Sequence, residues 1–437
     1  MAFIPEIEQK SIAEQSAFQF SKLIETLDYL QAWSPFYQKL FRQHNVDLQA
    51  IRTLQDLRLL PTTSKQDIQD HNWDFLCVPR ASITEYAATS GTLGRPVIIA
   101  LTQKDLQRLA YNEFLSFNCI GAASGDIFQL MLTLDRQFMA GIAYYSGLSL
   151  LGASAVRTGP GLPAMQWDTI QQLGTTGLVA VPSFLLKMTA YAAANGISPG
   201  DAPVKKVLAI GESLRDDELK PNALLQQITK EWNIELYGTY DSTEMQTAFT
   251  ECSAGKGGHH HPELILVEIL DEAGEPVAPG EKGEVTITTL GVEGMPLLRY
   301  RTGDICRAYN EPCSCGRNTL RLGPVLGRKQ QMIKFKGTSL YPPVLFEVLN
   351  QLAEIKEYVV EVQTGADQQD LLTIYLYSSM ETEACNNLLR PLFQHKWRVT
   401  PNLVHLDEMA MRQLQFPGTS RKQIKFLDKR VAAGIQV

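Results

Sequence analysis

The chain has 437 residues, with 40 Lys and Arg against 47 Asp and Glu, so its formal net charge is −7 at pH 7. This length is too great for one ordinary domain and predicts two or three. A hydrophobic fraction of 44% and a charged fraction of 20% are typical of a globular protein with buried cores. The acidic balance lacks the basic footprint of nucleic-acid binding, so we expect no nucleic-acid partner.

The sequence predicts neither a secretory signal nor a membrane span. The N-terminal residues, MAFIPEIEQKSIAEQ, lack the basic and apolar regions of a secretory signal. Residues 138–156 carry no charge over 19 positions, about the length of a membrane span. Their Gly, Ser and Ala content and their lack of basic flanks favour a buried helix followed by a strand. The seven cysteines are too few and uneven for a secreted disulfide framework. We therefore expect a cytoplasmic protein outside the membrane.

The first 75 residues have the pattern of helices. Apolar residues recur at helical spacing in SIAEQSAFQFSKLIETLDYLQAW, residues 11–33, which predicts an amphipathic helix. Further on, the hydroxyl residues Thr62, Thr63 and Ser64 precede a polar helical segment, and they fit the N-cap of a second helix.

From about residue 80 to residue 250, short apolar runs alternate with helix-length segments. The runs are PVIIAL, ASAVR, TGLVAVP, KKVLAIG and IELYG. This alternation predicts an α/β fold with a parallel sheet, and ligands bind such sheets at the carboxyl ends of their strands.

The remaining third of the chain changes character twice. Residues 264–290 form two strand-like runs around a Gly- and Pro-rich turn, which predicts an antiparallel β unit. A boundary follows at about residues 323–337. Beyond it, a helix that begins with prolines, strands and a further helix predict a compact α+β unit of about 110 residues. We therefore expect a large N-terminal domain, 1–327, and a small α+β C-terminal domain, 328–437.

The stretch YAATSGTLGRPVIIALT, residues 86–102, concentrates hydroxyl groups and glycines before a strand. It lacks the spacing and the following helix of a Walker loop. We predict that its hydroxyls and backbone N–H groups hold the β- and γ-phosphates of ATP, with an arginine adding positive charge. The alternative is a polar turn between strands. The predicted phosphate-binding residues are Ser90, Gly91, Thr92, Gly94 and Arg95.

Two later motifs add nucleotide-binding chemistry. In ELYGTYDSTEMQTAF, residues 235–249, Tyr237 and Gly238 end a strand where an aromatic ring can stack on a purine. Thr243 and Glu244 then offer a hydroxyl for phosphate and a carboxylate for Mg²⁺. In MPLLRYRTGDICRAY, residues 295–309, Asp304 can accept hydrogen bonds from ribose hydroxyls. Taken separately, the two motifs also fit a capped strand end and an ordinary glycine turn.

The order of these motifs, completed by GRKQQMIKFKGTSLYP at 327–342, resembles the adenylate-forming superfamily of acyl-CoA synthetases. The chain is most similar to the phenylacetate–CoA ligase family. The likeness runs from SPFYQKLF and LPTTSKQD near the start to KFLDKR near the end, so it covers nearly the whole chain.

This resemblance implies an adenylate-forming N-terminal domain, a mobile C-terminal domain and a two-step reaction. The carboxylate of an acid attacks the α-phosphate of ATP, which gives an acyl-adenylate and pyrophosphate. The small domain then rotates, and the thiolate of coenzyme A displaces AMP. The implied ligands are ATP, Mg²⁺, coenzyme A and a carboxylic acid, with an aryl, phenylacetate-like acid as the expected class. Monomer and homodimer both remain open.

The resemblance also assigns roles to single residues. Thr243 faces the α-phosphate, Glu244 holds Mg²⁺, and Arg328 contacts the nucleotide at the hinge. The adenylation lysine, whose compact charge can bridge carboxylate and phosphate, matches Lys422, with Lys425 as the alternative. Gly211, Glu212 and Ser213 of GESL border the adenine together with Tyr237 and Gly238, and Asp304 takes the ribose. The predicted walls of the acid pocket are Phe138, Met139 and the range Ala140 to Tyr145, in which Ala140, Gly141 and Tyr145 are the main candidates.

A separate set of residues suggests a metal site. Cys252 stands seven residues before His259, and EPCSCGR supplies Cys313 and Cys315. Three thiolates and one imidazole can make a closed tetrahedral Zn²⁺ site. Relatives in the resembled family share these positions, which favours structural zinc. The alternative is a group of free surface thiols beside a histidine cluster.

Some positions depart from the family pattern. Arg95 replaces a lysine and prefers forked contacts, the Tyr-Gly to Thr-Glu motif is longer than usual, and Lys422 lacks a preceding glycine. Two other classes of function therefore stay open. A CoA-independent adenylating enzyme would transfer AMP or acyl groups to another acceptor, and a catalytically silent relative would bind ATP without turnover.

Overall fold

The chain forms two compact units, Met1–Val325 and Leu326–Val437. The computed structural model describes residues 3–89, 96–335, 338–364, 370–397, 400–416 and 423–430. Among the described residues, none of the helices combines the length and the apolar character that crossing a membrane requires. The uncharged stretch 138–156 instead forms a helix followed by a strand, as its composition predicted.

The helices of the first unit are α1 (Glu6–Gln9), α2 (Ile12–Trp33), α3 (Pro35–Gln43), α4 (Lys65–His71), α5 (Gln103–Cys119), α6 (Met139–Leu151), α7 (Pro163–Leu173), α8 (Pro182–Ala194) and α9 (Ala223–Glu231). Short 3₁₀ helices lie at Leu48–Ala50, Leu54–Leu59, Asn72–Phe75, Arg80–Ser82 and Pro199–Asp201. Its strands are β1 (Thr63–Ser64), β2 (Ile83–Ala88), β3 (Ile98–Thr102), β4 (Ile127–Leu130), β5 (Ser154–Arg157), β6 (Gly177–Ala180), β7 (Lys206–Ala209), β8 (Glu235–Ser242), β9 (Thr247–Glu251), β10 (Gly258–His259), β11 (Ile265–Leu270), β12 (Lys282–Thr289), β13 (Tyr300–Tyr309) and β14 (Arg321–Leu322).

The N-terminal helices form where the sequence predicted them. Ser11 caps α2 through a capping box, in which the side chains of Ser11 and Glu14 each accept from the other residue's backbone N–H. Leu23, Leu27 and Leu30 follow at helical spacing and are fully buried. Ser64 caps α4 in the same way as Ser11 caps α2, so the predicted N-cap is confirmed.

A long mixed sheet organises the first unit. Its main path runs β11-β12-β13-β14-β10-β9-β8-β7-β6-β4-β5, with β1 beside β13. Neighbouring strands from β5 to β8 are parallel, and α6, α7, α8 and α9 connect them in turn. The predicted β/α alternation is therefore confirmed, and the antiparallel pairing of β11 with β12 confirms the predicted β unit.

Two strands differ from the sequence interpretation. The run PVIIAL forms β3, which pairs with β2 in a separate antiparallel hairpin instead of joining the parallel sheet. The parallel sheet instead contains β4, whose sequence IFQL was not identified as a strand. Its four residues are too short for a periodic signal, and only pairing with β5 and β6 identifies them.

The second unit is an α+β fold, as predicted. Its main sheet has the order β20-β19-β18-β21, with β18 and β19 antiparallel, and a separate hairpin pairs β16 with β17. Its strands are β15 (Gly327–Arg328), β16 (Ile333–Phe335), β17 (Thr338–Leu340), β18 (Ile355–Thr364), β19 (Asp370–Ser378), β20 (Asn402–His405) and β21 (Phe426–Asp428). Its helices are α10 (Pro342–Asn350), α11 (Thr382–Trp397), α12 (Glu408–Gln415) and the 3₁₀ turn Lys329–Gln331.

Helix α6 packs against α5 at Gly147. A Cβ on Gly147 would lie 2.5 Å from the Cβ of Glu113 and 2.8 Å from its backbone carbon. Glycine inside a helix costs about 1 kcal/mol relative to alanine, so its presence here reflects the close approach of the two helices. This contact sets the distance between α6 and α5 at Gly147.

We expect Gly147→Ala to lower the free energy of unfolding by about 1–3 kcal/mol, because overpacking outweighs the gain in helix propensity. Urea denaturation of both proteins measures this. Ser149→Ala, on the exposed side of α6, is the control and should be neutral or slightly stabilising. A Gly147→Ala protein more stable than the wild type would contradict the packing argument.

Candidate active site

Strand β8 is where the sheet changes direction. It pairs in parallel with β7 on one edge and antiparallel with β9 on the other. A turn at residues 243–246 joins β8 to β9 and carries Thr243 and Glu244. Both predicted residues therefore stand at the carboxyl end of a central strand, where α/β sheets bind ligands.

Lys65 faces Glu244 across this end of the sheet. Its ammonium Nζ lies 3.2 Å from Oε1 of the buried Glu244 carboxylate. Pairing of Thr63 with Tyr300, between β1 and β13, places Lys65 there as the first residue of α4. The sequence analysis used this segment as a helix cap and as part of the family likeness, but it gave Lys65 no role. A lysine directly after an N-cap, in a motif shared with the resembled family, was the available signal.

Asp304 and Tyr240 form a second pair near the same strand. The Asp304 carboxylate is buried on β13 and accepts a 2.9 Å hydrogen bond from the Tyr240 hydroxyl of β8. Burial, and then the neighbouring Asp304 carboxylate, raise the pKa of Tyr240 well above its ordinary value, so the phenol stays neutral. Gly303, which precedes Asp304 in the chain, has a φ of +79°, a conformation that favours glycine. The structure thus identifies Tyr240 as a hydrogen-bond partner of Asp304, the residue predicted to bind the ribose.

The predicted adenine residues lie along β8 and after β7. Tyr237 is buried in an apolar cluster, and its hydroxyl donates to Glu235 Oε2 at 2.6 Å. The Gly238 N–H donates to Glu251 Oε2 at 3.2 Å. Gly211 and Ser213 are exposed after β7, and Glu212 between them accepts a 2.8 Å bond from the N–H of Ser183 at the start of α8.

Several predicted residues fall outside the described part of the chain. These are Ser90, Gly91, Thr92, Gly94, Arg95 and Lys422. Hairpin β2–β3 flanks the predicted phosphate loop, and Thr89 at its edge exchanges hydrogen bonds of 3.0 Å with the backbone of Val97. In the second unit, Arg328 is exposed, and the Lys425 ammonium lies 5.5 Å from the ring centre of Tyr358.

The predicted pocket walls lie at the start of α6. Met139 and Gly141 are buried, and Phe138 and Ala140 pack partly buried against an apolar cluster. Tyr145 is 39% exposed, with the Arg157 guanidinium 5.7 Å from its ring centre. Of these five predicted wall residues, four are therefore buried or partly buried and Tyr145 is on the surface.

Arg108, which the sequence analysis did not identify, fixes the turn after β8. Its buried guanidinium on α5 donates to the carbonyl of Gln246 at 2.7 Å and to the Thr247 hydroxyl at 3.0 Å. It also donates to the carbonyls of Leu290 and Leu264. Burial lowers the pKa of Arg108 to about 10, so it remains charged at neutral pH. Only the fold shows this role, because the four partners are distant in sequence.

The four predicted metal ligands meet in one place. The ligand atoms of Cys252, His259, Cys313 and Cys315 all lie within 4.8 Å of one another. Cys252 Sγ lies 3.6 Å from Cys313 Sγ, and Cys315 Sγ lies 3.4 Å from His259 Nε2. Tetrahedral zinc, with bonds of about 2.3 Å to sulfur and about 2.0 Å to nitrogen, requires edges of about 3.8 and 3.5 Å. The donor set fits zinc in type and spacing.

Neighbouring groups support this ligand set. The His259 Nδ1 atom lies 3.1 Å from the Thr319 hydroxyl, which holds the ring with Nε2 toward the sulfurs. The hydrogen bond from His259 lowers the pKa of Cys313, and the one from Cys252 lowers the pKa of Cys315. These two shifts favour the thiolate, the form that binds metal, whereas the hydrogen bond to Cys315, together with burial, raises the pKa of Cys252, so the geometry of the four ligands is the main support for the site.

The first helix closes over this cluster. Glu8 of α1 is fully buried, accepts from Arg317 Nε at 2.7 Å and bonds to His261 Nδ1 at 2.6 Å. Burial raises the pKa of Glu8, but His261 and Arg317 together lower it below the ordinary value. The sequence offered no signal for this contact, because its partners are more than 250 positions away from Glu8.

Glu113 of α5 is a buried acid at the interface with α6. Its Oε1 accepts from Asn112 Nδ2 at 2.9 Å, and its side chain touches Gly147. Burial, followed by the nearby Asp241 carboxylate, raises the pKa of Glu113 from 4.5 to about 8. The side chain is therefore a neutral carboxylic acid at neutral pH.

This raised pKa predicts a pH-dependent stability. Between about pH 4.5 and about pH 8 the native chain keeps the Glu113 proton and the unfolded chain releases it. Its contribution is complete below the unfolded pKa and falls by up to about 1.4 kcal/mol per pH unit as pH rises. We expect the unfolding free energy of wild type minus that of Glu113→Gln to decrease from pH 5 to pH 8 in urea titrations. Thr189→Ala, which removes a buried hydroxyl, should give a constant difference, and a constant difference for Glu113→Gln would refute the shift.

Comparison with known proteins adds to this geometry. Residues 85–294 match the family model for AMP-binding enzymes. The chain is 29% identical over 379 residues to the phenylacetate-coenzyme A ligase of Thermus thermophilus, covering 85% of this chain and 84% of that one. It is 27% identical over 444 residues to the phenylacetate-coenzyme A ligase of Escherichia coli, covering 98% of both chains.

A solved structure of 2-hydroxyisobutyryl-CoA ligase, in complex with 2-HIB-AMP, is similar in fold. The TM-score is 0.84 at 20% identity, covering 97% of this chain and 92% of that one. The sequence matches extend along most of the chain, and the described residues of the two later nucleotide motifs lie on β8, on β13 or in the turn after β8. Residues 85–294 of this chain are therefore an AMP-binding enzyme domain, and the chain is similar over most of its length to the phenylacetate–CoA ligase family.

Proposed function

We propose that the chain is an AMP-forming ligase that activates a carboxylic acid with ATP and transfers the acyl group to coenzyme A. One observation supports this most strongly. Lys65 pairs with Glu244 in the turn after β8, and Asp304 of β13 binds Tyr240 on β8, so charged groups from separate parts of the sequence contact the carboxyl-terminal half of one strand or the turn after it. On this proposal they would serve as a metal-binding carboxylate, a phosphate-binding cation and a ribose-binding carboxylate. Relatives named as ligases of phenylacetate and coenzyme A cover nearly the whole chain.

In the first step, the ribose of ATP binds Asp304 and its phosphates extend past Thr243 toward Lys65. A carboxylate oxygen of the acid attacks the α-phosphorus, and the bond from this phosphorus to pyrophosphate breaks. Mg²⁺ bound to Glu244 would neutralise charge on the phosphate oxygens. Lys65 adds a positive charge on the same side. The protein accelerates this step by positioning the reactants and by compensating charge, so a fixed constellation of side chains suffices.

The second unit belongs to the same proposal. We assign Lys422, with Lys425 as the alternative, to the contact between carboxylate and phosphate, and Arg328 to the nucleotide at the hinge. Residues 1–327 and 328–437 then act as domains, and the smaller one changes position between the steps. In the second step the thiolate of coenzyme A attacks the acyl carbonyl carbon and AMP leaves with the bonding electrons. The apolar walls at the start of α6 favour an aryl acid.

Acid-dependent ATP–pyrophosphate exchange tests the first step, and thioester formation with coenzyme A tests the second. We expect at least one aryl acid to support both. Glu244→Gln should lower kcat/KM for exchange by about 100-fold or more, since it removes charge stabilisation of the phosphates. Glu218→Gln, on an exposed loop, is the matched control and should retain activity.

The possible outcomes separate the three functions. Exchange without a thioester would favour an adenylating enzyme with another acceptor. ATP binding without exchange for any acid would indicate a silent relative and overturn the ligase proposal.

We further propose that Cys252, His259, Cys313 and Cys315 hold one structural Zn²⁺. When bound, the ion would link the end of β9, β10 and the turn between β13 and β14. All four positions are protein ligands, so the site is closed and takes no part in the chemical step. The N–H of Cys313 donates to the Arg317 carbonyl at 2.9 Å, which shapes the turn around both thiols.

Metal analysis of untagged protein should find close to one zinc per chain. A Cys313→Ser/Cys315→Ser double variant should contain none and unfold at lower temperature, because the ion contributes folding energy. Cys385→Ser, in the second unit and outside the cluster, should keep the zinc. Metal-free wild-type protein would end the proposal.

A further inference from the structure

Two buried polar side chains, on α5 and α6, lie in an otherwise apolar part of the first unit, and a partly buried carboxylate on β8 is near enough to add to the burial that raises the pKa of both. They are Glu113 on α5, Tyr144 on α6 and Asp241 on β8, and we call them the polar trio. Glu113 is 4% exposed and Tyr144 is fully buried. Phe117, Phe128 and Leu148 belong to the apolar cluster that holds Tyr144. Polar groups in such a place require hydrogen-bond partners.

Two atoms of the trio lack partners among the described residues. Glu113 Oε1 accepts from Asn112, but no hydrogen bond reaches its Oε2, and none reaches the hydroxyl of Tyr144. Burial raises the pKa of Tyr144 and the facing Thr239 hydroxyl opposes this rise, but the hydrogen bond that Thr239 forms, at 2.9 Å, is with Thr250. A buried polar group without a partner is destabilising, so a complementary group bound beside these two atoms would be stabilised by the hydrogen bonds it makes with them.

The surrounding structure holds the trio in place. Gly147 lies directly against Glu113, which leaves that side chain little room to move. Asn112 orients the carboxyl group, and its own Oδ1 accepts from the Ala248 N–H of β9 at 3.2 Å. The neutral acid that burial favours offers one O–H donor besides its acceptor oxygen. A fixed set of donors and acceptors selects a ligand group by its chemistry.

The trio lies beside the path that an acid would take. Strand side chains alternate between faces, so Thr239 and Asp241 share the face opposite Tyr240, which binds Asp304. At about 3.3 Å per residue, these two precede Thr243 by about 13 and 7 Å along β8. An acid whose carboxylate reaches the α-phosphate at Thr243 would extend its tail toward them. Tyr144 also lies on α6, one to two turns beyond the apolar wall residues.

We propose that Glu113, Tyr144 and Asp241 form the far end of the acid pocket and select an acid whose tail carries a hydroxyl group. The hydroxyl would donate to a carboxylate oxygen of the trio and accept from Tyr144 or Glu113. This inference rests on the proposed ligase function and narrows its substrate class from aryl acids to hydroxylated ones. Tyr144, which lies within the predicted wall segment 140–145, would determine specificity together with Glu113.

The test compares acids that differ only by a hydroxyl. We expect wild-type exchange activity, as kcat/KM, to favour 3- or 4-hydroxyphenylacetate over phenylacetate by at least about tenfold. Tyr144→Phe and Glu113→Gln keep the shape of each side chain. Each should reduce this preference by about 5- to 100-fold, chiefly by slowing the hydroxy acid.

A matched control pair lies on the same helix. Tyr111, two residues before Glu113, donates to Glu263 Oε1 at 2.7 Å and so forms a satisfied tyrosine–glutamate pair. Tyr111→Phe and Glu263→Gln should leave the preference between the acids unchanged. The proposal would be overturned if wild type used the hydroxy acid and phenylacetate with equal kcat/KM. It would also be overturned if the preference for the hydroxy acid persisted in both Tyr144→Phe and Glu113→Gln.

Calorimetric binding of the same acids, without ATP, separates this inference from the ligase proposal. If wild type binds the hydroxy acid more tightly than phenylacetate, and Tyr144→Phe weakens that binding, the result supports a hydroxyl-binding role for the polar trio even without exchange activity. Equal binding of both acids by wild type counts against it, whatever the exchange assay shows. Exchange with equal selectivity would leave the ligase and remove only the hydroxyl-binding pocket.

Discussion

The backbone pairing of β8 is the constraint on which the rest of the first unit depends. One edge bonds in parallel to β7 and the other antiparallel to β9, so the chain must reverse at once after Ser242. A tight reversal leaves carbonyl groups without ladder partners, and the buried guanidinium of Arg108 binds one of them at Gln246. The same reversal presents Thr243 and Glu244 at the sheet edge. Fold and candidate active site therefore follow from one change in strand direction.

Buried charge in this unit is arranged to match its environment. Arg108 binds backbone carbonyls and a hydroxyl, and Arg299 pairs with Glu268 while donating to the Leu60 carbonyl. Buried ions are costly unless hydrogen bonds satisfy every donor, and a planar guanidinium can serve several acceptors at once. These arginines join elements that are distant in sequence. These arginines mainly determine which segments of the chain contact one another, and they add less to the net free energy of folding.

The sequence predicted the local elements well because their signals are local. The runs ASAVR, TGLVAVP and KKVLAIG are apolar, short and separated by helix-length segments, and each forms a parallel strand. Ser64 caps its helix as expected because a capping box depends on four consecutive residues. The strand IFQL escaped notice because its identity depends on neighbours from other parts of the chain.

The same distinction applies to the candidate site. Motif order and family resemblance supplied Glu244, Asp304 and the metal ligands, and the structure brings the four metal ligands together. Lys65, Tyr240 and Arg108 were missed because their roles arise from contacts across the fold. No periodicity or spacing encodes such contacts. The predicted phosphate loop and Lys422 lie outside the described residues and remain predictions.

The contact of Glu8 with Arg317 has a consequence for the order in which the chain folds. The two residues are 309 positions apart, yet their side chains are buried together. During synthesis from the N-terminus, α1 leaves the ribosome long before Arg317 exists, so it cannot reach its final position until most of the first unit is complete. Helix α1 is therefore made long before its partner and docks late, after the part of the unit that carries Arg317 has been made.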